Sequence, residues 1–126
     1  MQQPRAAGVI VLDGGRILAF ARADKPGLAL PCGHVDDGET AAEAAVREAE
    51  EETGLRVELV EAAPYIGLDP VGGKVVHTFL ARVIGGELRP AVDGEGHARW
   101  ATLVEVAAGP YGDYNRRAFH HFKLEL

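Results

Sequence analysis

Residues Gly33–Leu55 read GHVDDGETAAEAAVREAEEETGL, a glycine loop running into a helical segment that ends at a glycine. Thr40 and Glu43 have capping-box spacing, which places a helix start near Glu39 or Thr40. The alanines that follow are strong helix formers, and Gly54 stands where a left-handed residue ends a helix. The spacing therefore predicts a helix from that start to about Glu52. Each residue turns the chain by about 100°. Measured from Ala45, Ala41, Ala42 and Ala49 fall within roughly 60°, a stripe of small side chains suited to close packing on a sheet. Glu52 lies roughly 20° and Glu48 roughly 60° from the same reference, Glu51 flanks the stripe at roughly 120°, and Glu43 and Glu50 point the other way.

That geometry divides the acids. Glu43 and Glu50 form a solvated face, the ordinary place for carboxylates. Glu48 and Glu52 continue the packing stripe inward, where an unpaired charge is costly. With Glu51 they sit at i, i+3 and i+4, so they also repel one another. Protonation of one member, ion pairing with Arg47, or a divalent cation would each relieve the conflict. Hard oxygen donors with no histidine or thiol among them favour Mg²⁺, with Mn²⁺ as a substitute, over Zn²⁺. Spacing alone leaves the three open.

Outward from this segment, Ala7–Leu12 (AGVIVL) and Arg16–Ala21 (RILAFA) read as strands joined at Gly14-Gly15, an opening hairpin. Leu28–Leu30 leads through Pro31-Cys32 into the glycine loop. Arg56–Gly67 starts as an alternating strand and is bent or ended by Pro64. Lys74–Ile84 alternates clearly and reads as a strand closed by Gly85-Gly86. Leu88–Gly96 reads as a loop, His97–Thr102 as a short strand anchored by Trp100, Leu103–Ala107 as one helical turn, and Asp113–Leu124 as a final helix. The alternation of elements predicts an α/β protein with a mixed sheet and helices on both faces.

The chain has 126 residues, the size of a single domain spanning 1–126. Its net charge of −6 argues against a nucleic-acid polymer or a membrane surface as partner. A nucleotide remains compatible with that charge when a metal supplies the opposing one. The one cysteine, Cys32, allows no intrachain disulfide and suits a reducing compartment. The N-terminus lacks a signal-peptide core, and no run reaches transmembrane length, so a cytoplasmic protein is expected.

The pattern Gly33, Glu39, Arg47-Glu48-Ala49, Glu51-Glu52, Gly54 and Leu55 matches the signature G-x5-E-x7-R-E-U-x-E-E-x-G-U, where U is aliphatic. In this the chain resembles the Nudix hydrolases. The match is complete over about a fifth of the chain, with Ala49 a small choice at its U position. The resemblance implies the Nudix fold, an α/β/α sandwich with a mixed β-sheet between helices. It also implies metal-dependent hydrolysis of a nucleoside diphosphate linked to a group X, by attack of water at phosphorus. Carried over by position, Glu48, Glu52 and the Gly33 carbonyl would bind Mg²⁺. Glu51 would be a ligand, a water-mediated ligand or the general base, and Arg47 would orient the glutamates together with Glu39. Glu95, with Asp93 second, would be the further acid from the loop before the Trp100 strand. Arg22 and Cys32 are expected at the substrate, and Cys32 stands where the family often has a second glycine. Homodimers are common among such proteins.

A (d)NTP-like substrate is the leading expectation, with ADP-ribose or a nucleotide sugar as alternative. Pro70, 15 residues beyond Leu55, partly matches a position associated with ADP-ribose. A non-catalytic nucleotide-binding module of the same fold is the alternative from another class. Such modules lose acids of the signature, and this chain keeps them all. The five histidines show no metal spacing and read as solvated or core residues. Tyr111, Tyr114 and Phe119 read as packing for the last helix, with a base-stacking wall as the other option.

Overall fold

The computed structural model describes residues 5–24, 26–69, 72–90 and 96–126. The run AGVIVL sits inside β1 (Arg5–Asp13), which is buried on both faces, as a central strand must be. β1 turns back antiparallel into β2 (Arg16–Ala21) and pairs in parallel with β7 (Val75–Gly86), in a register running from Arg5↔Val75 to Val11↔Ala81. β2 in turn pairs with β8 (His97–Ala101) and with the two-residue β3 (Leu28–Ala29). The sheet is mixed, as expected, and its main path runs β3-β2-β1-β7 and on to β5 (Leu55–Leu59).

Between Arg56 and Gly67 the expected single strand is two. β5 ends at Leu59, and β6 (Tyr65–Leu68) begins just after Pro64; both lie antiparallel to β7, β5 near its end and β6 near its start. Proline has no N–H to give to a ladder, so the chain breaks there and rejoins further along. The Gly85-Gly86 pair closes β7 from inside the strand rather than after it.

The helix α1 (Ala41–Thr53) is built as its sequence predicts. The Thr40 hydroxyl accepts from the Glu43 N–H at 3.1 Å, and the Glu43 carboxylate accepts from the Thr40 N–H at 2.9 Å. Gly54, at φ 83°, caps the other end with its N–H on the Glu50 carbonyl. Its buried stripe is Ala44, Ala45, Ala49 and Thr53, while Ala41 and Ala42 are only half-buried. The stripe is thus wider than the expected one, reaching Ala44 on one side and Thr53 on the other, and α1 packs on β5 as well as on β1 and β4. Each buried methyl adds less than about 0.8 kcal/mol. What the alanines chiefly provide is proximity, since nothing bulky holds helix from sheet.

On the opposite face lie α2 (Leu103–Ala107) and α3 (Gly112–His121), the latter ending three residues earlier than expected. Alternation along β1 feeds both layers: Ala7, Val9 and Val11 join the alanines of α1, while Ala6 and Ile10 join Val106, Tyr114, Ala118 and Phe119. Trp100 packs partly buried against the α1 layer, consistent with an anchor. Among the described residues no helix is long and apolar enough to cross a membrane.

Candidate active site

The site forms where a short strand missed by sequence reading meets α1. β4 (Cys32–His34) pairs antiparallel with β1 through Ala6↔His34, Ala7↔Gly33 and Gly8↔Cys32. That pairing depends on Gly8, where a Cβ would stand 2.5 Å from the Pro31 carbonyl oxygen. Alternation then gives β4 two working sides. Gly33 faces α1, and its missing side chain is filled by Glu48: a Cβ on Gly33 would stand 2.1 Å from the Glu48 carboxyl carbon. Cys32 and His34 face the other way, into a cavity of about 270 Å³.

Glu52, one turn beyond Glu48, accepts a hydrogen bond from the Cys32 N–H at 2.8 Å and also lines the cavity. Burial, opposed by that hydrogen bond but reinforced by the neighbouring charges of Glu48 and Glu51, raises the Glu52 carboxyl to about 7. Arg47 lies at the centre of the acids. Its Nε and one terminal nitrogen bind both oxygens of Glu39 at 2.7 and 2.9 Å. The other terminal nitrogen reaches Glu48 at 2.8 Å and Glu51 at 3.1 Å, and a further bond goes to the His34 carbonyl at 2.9 Å. One guanidinium therefore ties the glycine loop to the helix. Arg47, helped by the Asp36 N–H, holds the Glu39 carboxyl down at about 2.

The donor set suits a hard divalent cation. Glu48, Glu51 and Glu52 supply oxygens only, and Glu52 is raised by burial first and by the charges of Glu48 and Glu51 after it. With Glu48 and Glu51 turned to Arg47, no three acidic, histidine or cysteine side chains converge into a ready cage among the described residues. Glu43 and Glu50 are exposed on the far side, as the helical wheel predicts.

The structure joins several expected residues and separates others. Arg22 lines the cavity, as does Cys32, whose thiol is pushed up to about 12 by burial and by the nearby carboxylates of Glu52, Asp69 and Glu48. Arg22 also donates to Asp24 at 3.1 and 3.2 Å. Of the three aromatics, Tyr114 and Phe119 are core, with Tyr114 also lining the cavity, whereas Tyr111 is half-buried and lines it too. His34 is not merely solvated: it lines the cavity, and its Nε2 lies 2.9 Å from the Lys74 ammonium. Glu95, Asp93 and Pro70 lie outside the described residues. Lys74, Phe20, Thr78 and Asn115 also line the cavity and were not singled out from sequence. They reach it through strand pairing and helix packing between distant segments, which leave no local signal.

This helix, capped by a signature glycine loop and bearing two inward acids, agrees with a match of the NUDIX domain to residues 2–122. The chain belongs to the Nudix family. It is 33% identical over 129 residues to a putative mutator protein MutT4 of Mycobacterium tuberculosis, an alignment covering 90% of this chain and 52% of that protein. It is 38% identical over 97 residues to an ADP-ribose pyrophosphatase of Methanocaldococcus jannaschii, covering 70% of this chain and 55% of the relative. The chain thus spans about half the length of these curated relatives. Among solved structures, a NUDIX-family hydrolase from Clostridium perfringens superposes with a TM-score of 0.73 at 16% identity, covering 98% of each chain, which supports the fold.

Proposed function

We propose that this Nudix chain works as one domain that hydrolyses the pyrophosphate bond of a nucleoside diphosphate linked to X, with a (d)NTP-like molecule as substrate. The observation that carries the reading is the pair of inward acids packed against β4: Glu48 in the space over Gly33, and Glu52 on the Cys32 N–H and in the cavity wall. Glu48, Glu51, Glu52 and the Gly33 carbonyl would hold Mg²⁺, or Mn²⁺ in its place. Bound there, the cation supplies neutralisation of the pyrophosphate and a more acidic water.

The remaining chemistry belongs to the side chains. Glu51, whose side chain is 57% exposed, is the most solvent-accessible acid of the three and takes the proton from the attacking water. Oxygen of that water bonds to phosphorus, and the bridging P–O bond breaks with its electrons leaving on the departing phosphate. Arg47 keeps Glu48 and Glu51 from drifting into solvent through its bonds to both. Arg22 lies at the cavity mouth to meet phosphate oxygens, and Phe20 and Tyr111 offer flat apolar walls for a base. Glu95 is proposed as the further acid on resemblance alone.

ADP-ribose is the second reading, favoured by the name of the archaeal relative. A phosphate-release screen over (d)NTPs, ADP-ribose, nucleotide sugars and dinucleoside polyphosphates with Mg²⁺ and Mn²⁺ decides between them. No turnover of any compound by folded protein would instead favour the non-catalytic binding module. Glu52→Gln should reduce turnover by about 10²-fold or more while the protein stays folded; unchanged rates would remove Glu52 from the site.

A further inference from the structure

The cavity has a second charged wall, away from the acids of α1. Lys74 stands just before β7, and His34 ends β4; both strands flank β1 at Ala6, which pairs with His34 on one side and Val76 on the other. With period-2 alternation Lys74, Val76 and Thr78 share the face that lines the cavity, together with Ala6, Cys32 and His34. The small side chain of Ala6 leaves the span between the outer strands open. Across it the Lys74 ammonium reaches His34 Nε2 at 2.9 Å.

This contact steadies the lysine without cancelling its charge, because a neutral imidazole brings no negative charge of its own. An ammonium has three N–H donors, so one bond to an imidazole nitrogen leaves others for an anion. Asp69, at the other end of the same turn, also lines the cavity, and one of its oxygens accepts from the Gly72 N–H at 3.0 Å. The cavity thus carries charge on more than one wall, with Glu52 from α1 and, at the turn before β7, the Lys74–His34 pair and Asp69.

Resting on the pyrophosphatase reading, we infer that Lys74, positioned by His34, recognises a terminal phosphate beyond the cleaved linkage. It thereby selects a triphosphate chain over a nucleoside diphosphate ending in a sugar. A terminal phosphate is a doubly charged cluster of acceptors, whereas a ribose at the same place offers only hydroxyls, and a point-charge ammonium distinguishes the two.

The test is calorimetric binding of a non-hydrolysable imido-dNTP and of ADP-ribose, each with Mg²⁺, to wild type, Lys74→Met and Lys74→Arg. Lys74→Met should weaken the imido-dNTP by about tenfold or more and ADP-ribose by less than about twofold, with Lys74→Arg retaining most of the affinity. His34→Gln, which keeps a neutral polar partner, should fall between. Equal losses for both ligands, or no loss for the triphosphate, would overturn the assignment. Thermal melts of each variant separate lost recognition from lost folding. Because binding needs no turnover, a catalytically silent wild type would refute the hydrolase reading while this measurement still judged Lys74.

Discussion

α1 and α3, on opposite faces of the sheet, do different work by packing differently. α1 approaches through alanines and comes so near that Glu48 fills the space a Gly33 side chain would take. α3 approaches through Tyr114 and Phe119, and at its first turn leaves the cavity that Tyr111, Tyr114 and Asn115 help to line. Small residues give the chemistry a fixed distance, and large ones give the substrate a space. In the proposed reading, reaction and selectivity fall on opposite faces of one sheet, with the three residues of β4 looking both ways.

The contrast breaks most visibly at Gly33. Gly33→Ala must push the Glu48 carboxylate aside, which a flexible side chain does at little cost to folding. We expect turnover to fall by about 100-fold with the melting temperature little changed, since an ångström-scale misplacement of a reacting group has that effect. A variant with near-normal kcat would show that the close approach of α1 is not needed.

Next in size is the charge that close approach buries. The Glu52 carboxyl is raised to about 7 from an ordinary 4.5, so folding favours its protonated form. Its stabilising effect is fully present below the ordinary value and is lost as pH rises through about 7. Metal-free Glu52→Gln should therefore gain roughly 1–3 kcal/mol over wild type at pH 8 and almost nothing at pH 4, measured by urea unfolding. Excess Mg²⁺ should close the gap at pH 8 by stabilising wild type alone. A gap independent of pH would refute this account.

On the α3 side the effects are smaller and fall on stability. The Tyr114 hydroxyl donates to the Val76 carbonyl at 3.2 Å and lies 2.6 Å from the buried Thr78 hydroxyl. Tyr114→Phe should cost about 1–2 kcal/mol by leaving Thr78 without its partner, while kcat changes little. A large fall in kcat would place chemistry on the wrong helix. Smallest of all is Glu50→Gln on the solvated side of α1, expected within ±0.5 kcal/mol in stability and neutral in rate.

What could be read in advance depended on how local the cause was. The ends of α1 were legible because a capping box and a terminal glycine act within four residues. The inward turn of Glu48 and Glu52 followed from the helical angle alone. The burial of Ala44 was missed because β5 widens the packed stripe on that side, and β5 lies beyond the helix in sequence. β4 gave no signal at all: three residues show no alternation, and the strand exists because Gly8 lets it lie on β1. Lys74 and His34, forty positions apart, are joined only by the β4–β1–β7 pairing, which no nearby residue announces. Pro64 marked a break correctly, but not that the chain would resume on the same neighbour.

Cys32 has a consequence of a different kind. Its backbone serves the site through Glu52, while its sulfur stands in the cavity wall with a thiol raised to about 12. At neutral pH it stays a thiol rather than the thiolate, the form that peroxides and alkylating agents attack. Burial first, and the carboxylates beside it second, thus keep the cysteine in its less reactive thiol form.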